Sequence, residues 1–153
     1  MSGPAPGFYI WRLSTKWRVA VDRALAPLGL THAQYALLGS LYGMHHDGVQ
    51  PSQRALADHT GMEPLYVSKL ARSLEAAGLL ERAADPHDTR AVRLRLTGTG
   101  RTTTASAIAV VHELSDRLMA PLGGLGSERT DALVRAIRSL LDAPLDTHRT
   151  EEE

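Results

Sequence analysis

The chain has no cysteine among its 153 residues. That excludes a thiol redox switch, a Cys-ligated zinc site and a disulfide framework, and it suits a reducing cytosol. It also has no net charge, because 17 Lys and Arg are matched by 17 Asp and Glu. With a pI near 7.1, it cannot coat nucleic acid or an anionic membrane by bulk charge, so any such binding needs a local patch. A spanning segment is missing as well. Residues 24–46 hold no Asp, Glu, Lys or Arg, but Pro27, Gly29, Thr31, Gln34, Gly39 and Ser40 interrupt them. A span needs ~20 predominantly apolar residues, so two helices and a turn are the better reading. The first seven residues carry neither a basic stretch nor an apolar one, and no secretion signal is expected. No internal repeat is visible.

What is present is punctuation. At this length a single domain buries roughly 68–70% of its unfolded surface, enough to form a core unaided. Apolar residues recur from Tyr9 to Leu28 at Leu13, Trp17, Ala20, Val21 and Ala24, which is helical spacing ended by Pro27-Leu28-Gly29. Ile10 and Trp11 widen that stripe, so the helix covers either its own core or a second subunit. Thr31 and Gln34 have the spacing of a capping box, with Leu30 and Tyr35 as its staple, and Leu37, Leu38, Leu41 and Tyr42 continue the face. Residues 43–51 read as a loop.

Ser52 opens a short helix that carries Leu56 and closes at Thr60-Gly61. The next helix starts at Pro64, shows Val67, Leu70, Ala71 and Leu74 on one face, and is capped at Gly78. Leu79 to Arg82 and the alternating Val92 to Leu96 read as two strands around the polar loop 85–90, a hairpin. A long helix follows with Ile108, Val111, Leu114, Ser115 and Leu118 as its apolar side, until Pro121 stops it. Ser127 caps a last helix with Leu133, Ala136, Ile137, Leu140 and Leu141 on one face, and residues 143–153 form a tail expected to be disordered.

Two helices across a glycine-containing turn make a helix-turn-helix, and the hairpin behind them makes it winged. The outward side of the second helix bears Leu65, Tyr66, Ser68, Lys69 and Arg72, which offers hydrogen-bonding and cationic groups near its N-terminus. Between Glu63 and Arg101, seven cations face five anions, so a neutral chain carries a mildly basic local surface.

These residues resemble the MarR (multiple antibiotic resistance regulator) family of transcription factors from roughly Tyr9 to Leu141. Asp88-Thr89-Arg90, five residues, then Leu96-Thr97 match that family's D-x-R-x5-L-T wing pattern, and the run Leu74 to Arg82 matches the helix end that leads into the wing. The resemblance implies a mainly α fold with a small β-wing. Residues 31–97 would form the winged helix-turn-helix, with dimerisation helices in residues 1–28 and 98–142. It implies that Arg90 enters a minor groove while Asp88 orients its guanidinium, and that Ser68, Lys69 and Arg72 lie in or beside the major groove. Ser52, Gln53, Leu65 and Tyr66 complete the DNA-binding set. Two features depart from the family: the recognition helix begins Met62-Glu63-Pro64-Leu65-Tyr66 in place of a Ser/Thr-rich start, and Lys69 stands where Arg is common. A Lys there suits a phosphate better than a guanine, since it is a point charge and not a fork. Tyr66 either stacks on sugar, reaches a phosphate, or packs on the preceding helix.

The expected protein is therefore a cytoplasmic, homodimeric, ligand-responsive repressor on a pseudo-palindromic double-stranded operator. Its expected effector is a small aromatic or phenolic molecule held by Trp11, Trp17, His32, Tyr35 and Tyr42. The same five residues also read as ordinary interhelical core. His112-Glu113-Leu114-Ser115-Asp116 lacks the second His of a zinc protease motif, and the histidines are read as binding no metal. No P-loop, nucleophile elbow or dinucleotide glycine pattern occurs, so no enzyme activity, cofactor or membrane partner is expected. The competing reading is a helical interaction or scaffold module that never touches DNA; Lys69 and Arg90 discriminate the two.

Overall fold

A computed structural model describes residue 3 and residues 5–145. The element order is α1 (Pro6–Leu25), α2 (His32–His46), α3 (Gln53–Thr60), α4 (Pro64–Ala76), β1 (Leu80–Ala84), β2 (Val92–Leu96), α5 (Gly98–Met119) and α6 (Glu128–Asp142). Short 3-10 turns at Ala26–Leu28 and Ala120–Leu122 end α1 and α5. No helix among the described residues is long and apolar enough to cross a membrane. The chain forms two compact units, one up to His112 and one from Glu113 onward.

In the first unit, local chemistry sets the helix ends. The Thr31 hydroxyl accepts from the Gln34 N–H while the Gln34 side chain accepts from the Thr31 N–H, which completes the capping box at α2. Ser52 caps α3 by accepting the Ala55 N–H at 3.1 Å, and Gly61 ends it at φ 72°, a left-handed position that favours glycine. Pro64 then starts α4, and the Leu79 N–H reaches back to the Leu74 carbonyl at 2.9 Å to close it. The loop after α2 is shorter than its composition suggests. The helix continues through His45 and His46, because Gly43 is accommodated inside it and the Asp47 N–H still finds the Gly43 carbonyl.

α2, α3, α4 and the hairpin share one core, in which Leu37, Leu38, Leu41, Leu56, Val67, Leu74 and Leu94 are fully buried. Each such side chain contributes roughly 1.5–3 kcal/mol by leaving water. β1 and β2 pair antiparallel with Leu80 opposite Leu96 and Ala84 opposite Val92. The Leu94 N–H donates to the Pro51 carbonyl, and Ser52 bridges Arg93, so the start of α3 is tied to the edge of the wing.

α5 turns inward the face its sequence suggests, prolonged toward the helix start by small residues. Within the first unit the buried residues are Gly100, Thr104, Ala107 and Val111. The first of these is a close approach: a Cβ on Gly100 would lie 1.7 Å from the Leu79 carbonyl oxygen, so no side chain fits at that position. Ile108 is only half-buried.

In the second unit, the Asp116 carboxylate accepts the Leu125 N–H at 2.8 Å. The Ser127 hydroxyl donates to the Leu122 carbonyl at 2.8 Å and accepts the Thr130 N–H at 3.2 Å. α6 follows with Glu128 and Asp131 in its first turn, where acids complement the helix dipole. Of the tail, residues 146–153 lie outside the described residues.

Candidate nucleic-acid interface

α4 fixes the interface by turning Val67, Leu70, Ala71 and Leu74 into the core. Successive residues rotate by about 100° around a helix, so Leu65, Lys69 and Arg72 fall on one stripe opposite that buried face. Leu65 is 87% exposed, and Lys69 and Arg72 are exposed as well. Tyr66 projects to the side of the stripe and is 45% exposed, while Ser68 is half-buried at its margin.

The first helix of the motif keeps its expected polar groups close to the protein. The Ser52 hydroxyl is engaged in the cap of α3. Gln53 is half-buried, and its Oε1 is fully enclosed without a hydrogen-bond partner, so that oxygen does not reach the outward surface. Arg54, not among the expected contacts, is the exposed cation of this turn. The only signal for it was a cation one position beyond Gln53.

At the wing tip, Asp88 touches the main chain of Arg90. Its Oδ1 accepts the backbone N–H of Arg90 at 3.0 Å, and no ion pair among the described residues joins it to the Arg90 guanidinium. A short carboxylate two residues upstream reaches the main chain more readily than the end of a long side chain, the usual behaviour of Asp in turns. Asp88 therefore shapes the turn, and the exposed Arg90 side chain is left to reach outward.

A second carboxylate, overlooked in the sequence, organises the same loop. Asp85 Oδ1 accepts the N–H groups of His87 at 2.8 Å and Asp88 at 3.2 Å, and its Oδ2 pairs with Arg93 Nε at 2.6 Å. The Arg93 hydrogen bond, followed by that of the His87 N–H, holds the Asp85 carboxyl below its ordinary range. Glu75 is lowered in the same way, because Arg82 donates to it from both its backbone N–H and its Nε at 3.1 Å. Arg95 pairs with Glu81. Three of the seven local cations are thus spent on structure, and Lys69, Arg72, Arg90 and Arg101 are in no ion pair among the described residues.

Thr97 joins the wing to α5. Its hydroxyl donates to the Gly78 carbonyl at 2.6 Å and accepts the Gly100 N–H at 2.9 Å, while its own N–H donates to the Leu79 carbonyl. The L-T pair of the wing pattern is therefore a buried Leu96 beside the residue that locks α4's end to α5's start.

Of the five residues expected to hold an effector, one lines a groove on α1. An open groove along α1 is lined by Phe8, Tyr9, Trp11, Arg12, Leu13, Thr15 and Lys16, so it includes Trp11 and none of the other four. His32 stands at the start of α2, where its backbone N–H donates to Asp22 at 2.7 Å. Burial pulls its imidazole below 6.5, opposed by Asp22 and assisted by Arg18. Burial also raises the Tyr35 phenol. Trp17 and Tyr42 are half-buried. Among the described residues, no three His, Asp or Glu side chains converge as a metal set.

The MarR family profile matches residues 28–91. The uncharacterized HTH-type transcriptional regulator YdcH of Bacillus subtilis (strain 168) is 36% identical over 121 residues, covering 78% of this chain and 82% of that protein. The transcriptional repressor CouR, bound to a 23-mer DNA duplex, is 29% identical with a TM-score of 0.75, over 90% of this chain and 92% of its own. In fold, the chain is also similar to S. aureus MepR in a DNA complex, with a TM-score of 0.79 at 24% identity, over 91% and 97% of the two chains. With the helix-turn-helix, the wing and these relatives in agreement, the chain belongs to the MarR family of DNA-binding transcriptional regulators.

Proposed function

We propose that the protein is a ligand-responsive repressor that binds a pseudo-palindromic operator as a homodimer. In this reading α4 lies in the major groove and Arg90 enters the adjacent minor groove. The observation that carries it is the pairing of two exposed cationic elements: the Leu65, Lys69 and Arg72 stripe, and a wing tip whose carboxylates are turned onto backbone N–H groups. A guanidinium left outward favours a narrow, electronegative minor groove. Lys69, Arg72 and Arg54 serve as phosphate contacts, Ser68 and Tyr66 flank them, and Ser52 and Gln53 support the helix that precedes them. The name of CouR, a repressor bound to DNA, supports the sign of regulation.

The exposed apolar residues support the dimer. Phe8, Tyr9, Ile10 and Trp11 on α1, and Val134, Ile137, Leu140 and Leu141 on α6, are exposed in the single chain. Residues 1–28 and 98–142 would pair across a two-fold axis, presenting two copies of residues 31–97 to half-sites roughly 34–36 Å apart. The effector reading rests on the aromatic character of Trp11, Trp17, Tyr35 and Tyr42 with His32. A bound phenol or aromatic acid would act by preferring a dimer whose α4 helices are wrongly spaced for DNA. The cytoplasmic assignment follows from the DNA-binding role.

The test starts with selection of an operator from random duplexes. Arg90→Ala should then weaken binding and lower the salt slope by about one unit for a lost phosphate-type contact, with the dimer intact by sedimentation. Unchanged affinity would favour a scaffold that does not use this surface. Quenching of Trp11 and Trp17 fluorescence by an aromatic acid, together with operator release, checks the effector.

A further inference from the structure

Leu65 is out of place as a structural residue. Among the described residues only Leu145 is a more exposed large apolar side chain. It lies about 190° around the helix axis from the mean direction of Val67, Leu70, Ala71 and Leu74, so no rotation of α4 that keeps those four buried brings it into the core. It does lie within about 40° of Lys69 and Arg72, one and two turns along. Whatever those cations approach, the isobutyl group of Leu65 approaches too.

If the cations approach duplex DNA, few partners remain for Leu65. An isobutyl group neither donates nor accepts a hydrogen bond, so it gains nothing from phosphate oxygens or from the N7, O6, N6 and N4 groups of the base edges. The one apolar group displayed in the major groove is the C5-methyl of thymine. Pro64 ahead of it fixes the backbone of this first turn. The residue is therefore presented on a rigid element, not on a loop.

We infer that Leu65 reads thymine, by packing on the C5-methyl of one thymine in each half-site and so selecting it over cytosine there. The inference rests on α4 being the helix that faces DNA, and it adds a base identity to that reading. The flanking Lys69 and Arg72 supply affinity without sequence information, while Leu65 supplies discrimination without charge.

The experiment separates the two layers. An operator selected from random duplexes must first bind the full-length protein with a salt-dependent affinity that Lys69→Ala reduces. Failure at this step overturns the DNA-facing reading of α4 and this inference with it. Each thymine of that operator is then replaced singly by deoxyuridine, which keeps every hydrogen-bonding group and removes only the methyl. The expected result is one thymine per half-site whose replacement weakens binding about four-fold, the worth of one buried methyl group. Leu65→Ala should bind the thymine and deoxyuridine duplexes equally at that position while keeping its sensitivity at any other. If no position responds, or if the response is the same in Leu65→Ala as in the original protein, Leu65 does not read thymine even though α4 binds DNA. Leu65→Ala removes no buried contact, so an unchanged thermal melt verifies that the comparison is made on folded protein.

Discussion

α4 and α6 are built on the same plan and meet opposite fates. Each is an amphipathic helix, of 13 and 15 residues, with one apolar row at 3.6-residue spacing. α4 packs that row on α2, α3 and β1, and four of its residues are buried. In α6 only Thr130 is buried, while Ile137, Leu140 and Leu141 are 42%, 63% and 79% exposed. Periodicity therefore reveals that a helix has a face to hide, but not whether its own chain hides it. The α4 row stabilises the protomer. The α6 row stays in water in the single chain, and covering it is the physical content of the proposed dimer.

The sharpest way to break this comparison is to shave one leucine from each row. Leu74→Ala should cost roughly 2–5 kcal/mol of chain stability, independent of concentration, because a fully buried site leaves a cavity. Leu140→Ala should leave the isolated protomer nearly unaffected and raise the dimer dissociation constant, read by sedimentation and by urea melts at two concentrations. Equal, concentration-independent losses would mean that α6 is buried by its own chain. Next in size, Gly100→Ala forces a Cβ against the Leu79 carbonyl and should reach the top of the ~1–3 kcal/mol range for overpacking, measured by urea denaturation.

A smaller effect is expected at the joint between wing and α5. Thr97→Val removes the donor to Gly78 and the acceptor for Gly100, for about 1–2 kcal/mol, and should raise hydrogen exchange at the start of α5. The smallest effect is a two-step pH profile that belongs to the α2 and wing region and not to α6. His32 and His45 have imidazoles lowered by burial, so their contribution is complete above about 6.5 and is lost as pH falls through their depressed values. Glu75 and Asp85 are also lowered, which adds stability above about 4.5 and 3.8 that disappears on further acidification. His45→Gln should flatten the upper step and Asp85→Asn the lower one in melts followed against pH.

Much of this was legible before the fold was known, and the division has physical causes. The Thr31 and Gln34 box, the Ser52 cap, the Gly61 and Pro64 turn and the α4 face are local patterns, decided by residues within four positions of one another. In α5 the inward face was legible from Val111 onward but not at its start, because the need for Gly100 depends on how near it comes to a carbonyl 21 positions earlier. Asp85 and Asp88 show a subtler limit. Sequence spacing allowed Asp88 to hold either a guanidinium or a backbone N–H, and only the shape of the turn decides between them. Of the outward residues, Leu65, Lys69 and Arg72 follow from helical geometry alone, whereas the inward turn of Gln53 needed the packed core.

The hairpin separates what must stay constant from what is at liberty to change. Pairing ends at Ala84 and Val92, and Leu80, Leu94 and Leu96 are committed to the interior, so adding one residue inside either strand would invert every side chain beyond it. Residues 85–91 lie outside that register and close on themselves through the Asp85 N–H to the Ala91 carbonyl. Lengthening this tip would cost slowly growing closure entropy together with whichever of the Asp85 and Asp88 hydrogen bonds the insertion breaks. A change of length there alters how far the tip extends while the register of the strands beneath is left alone.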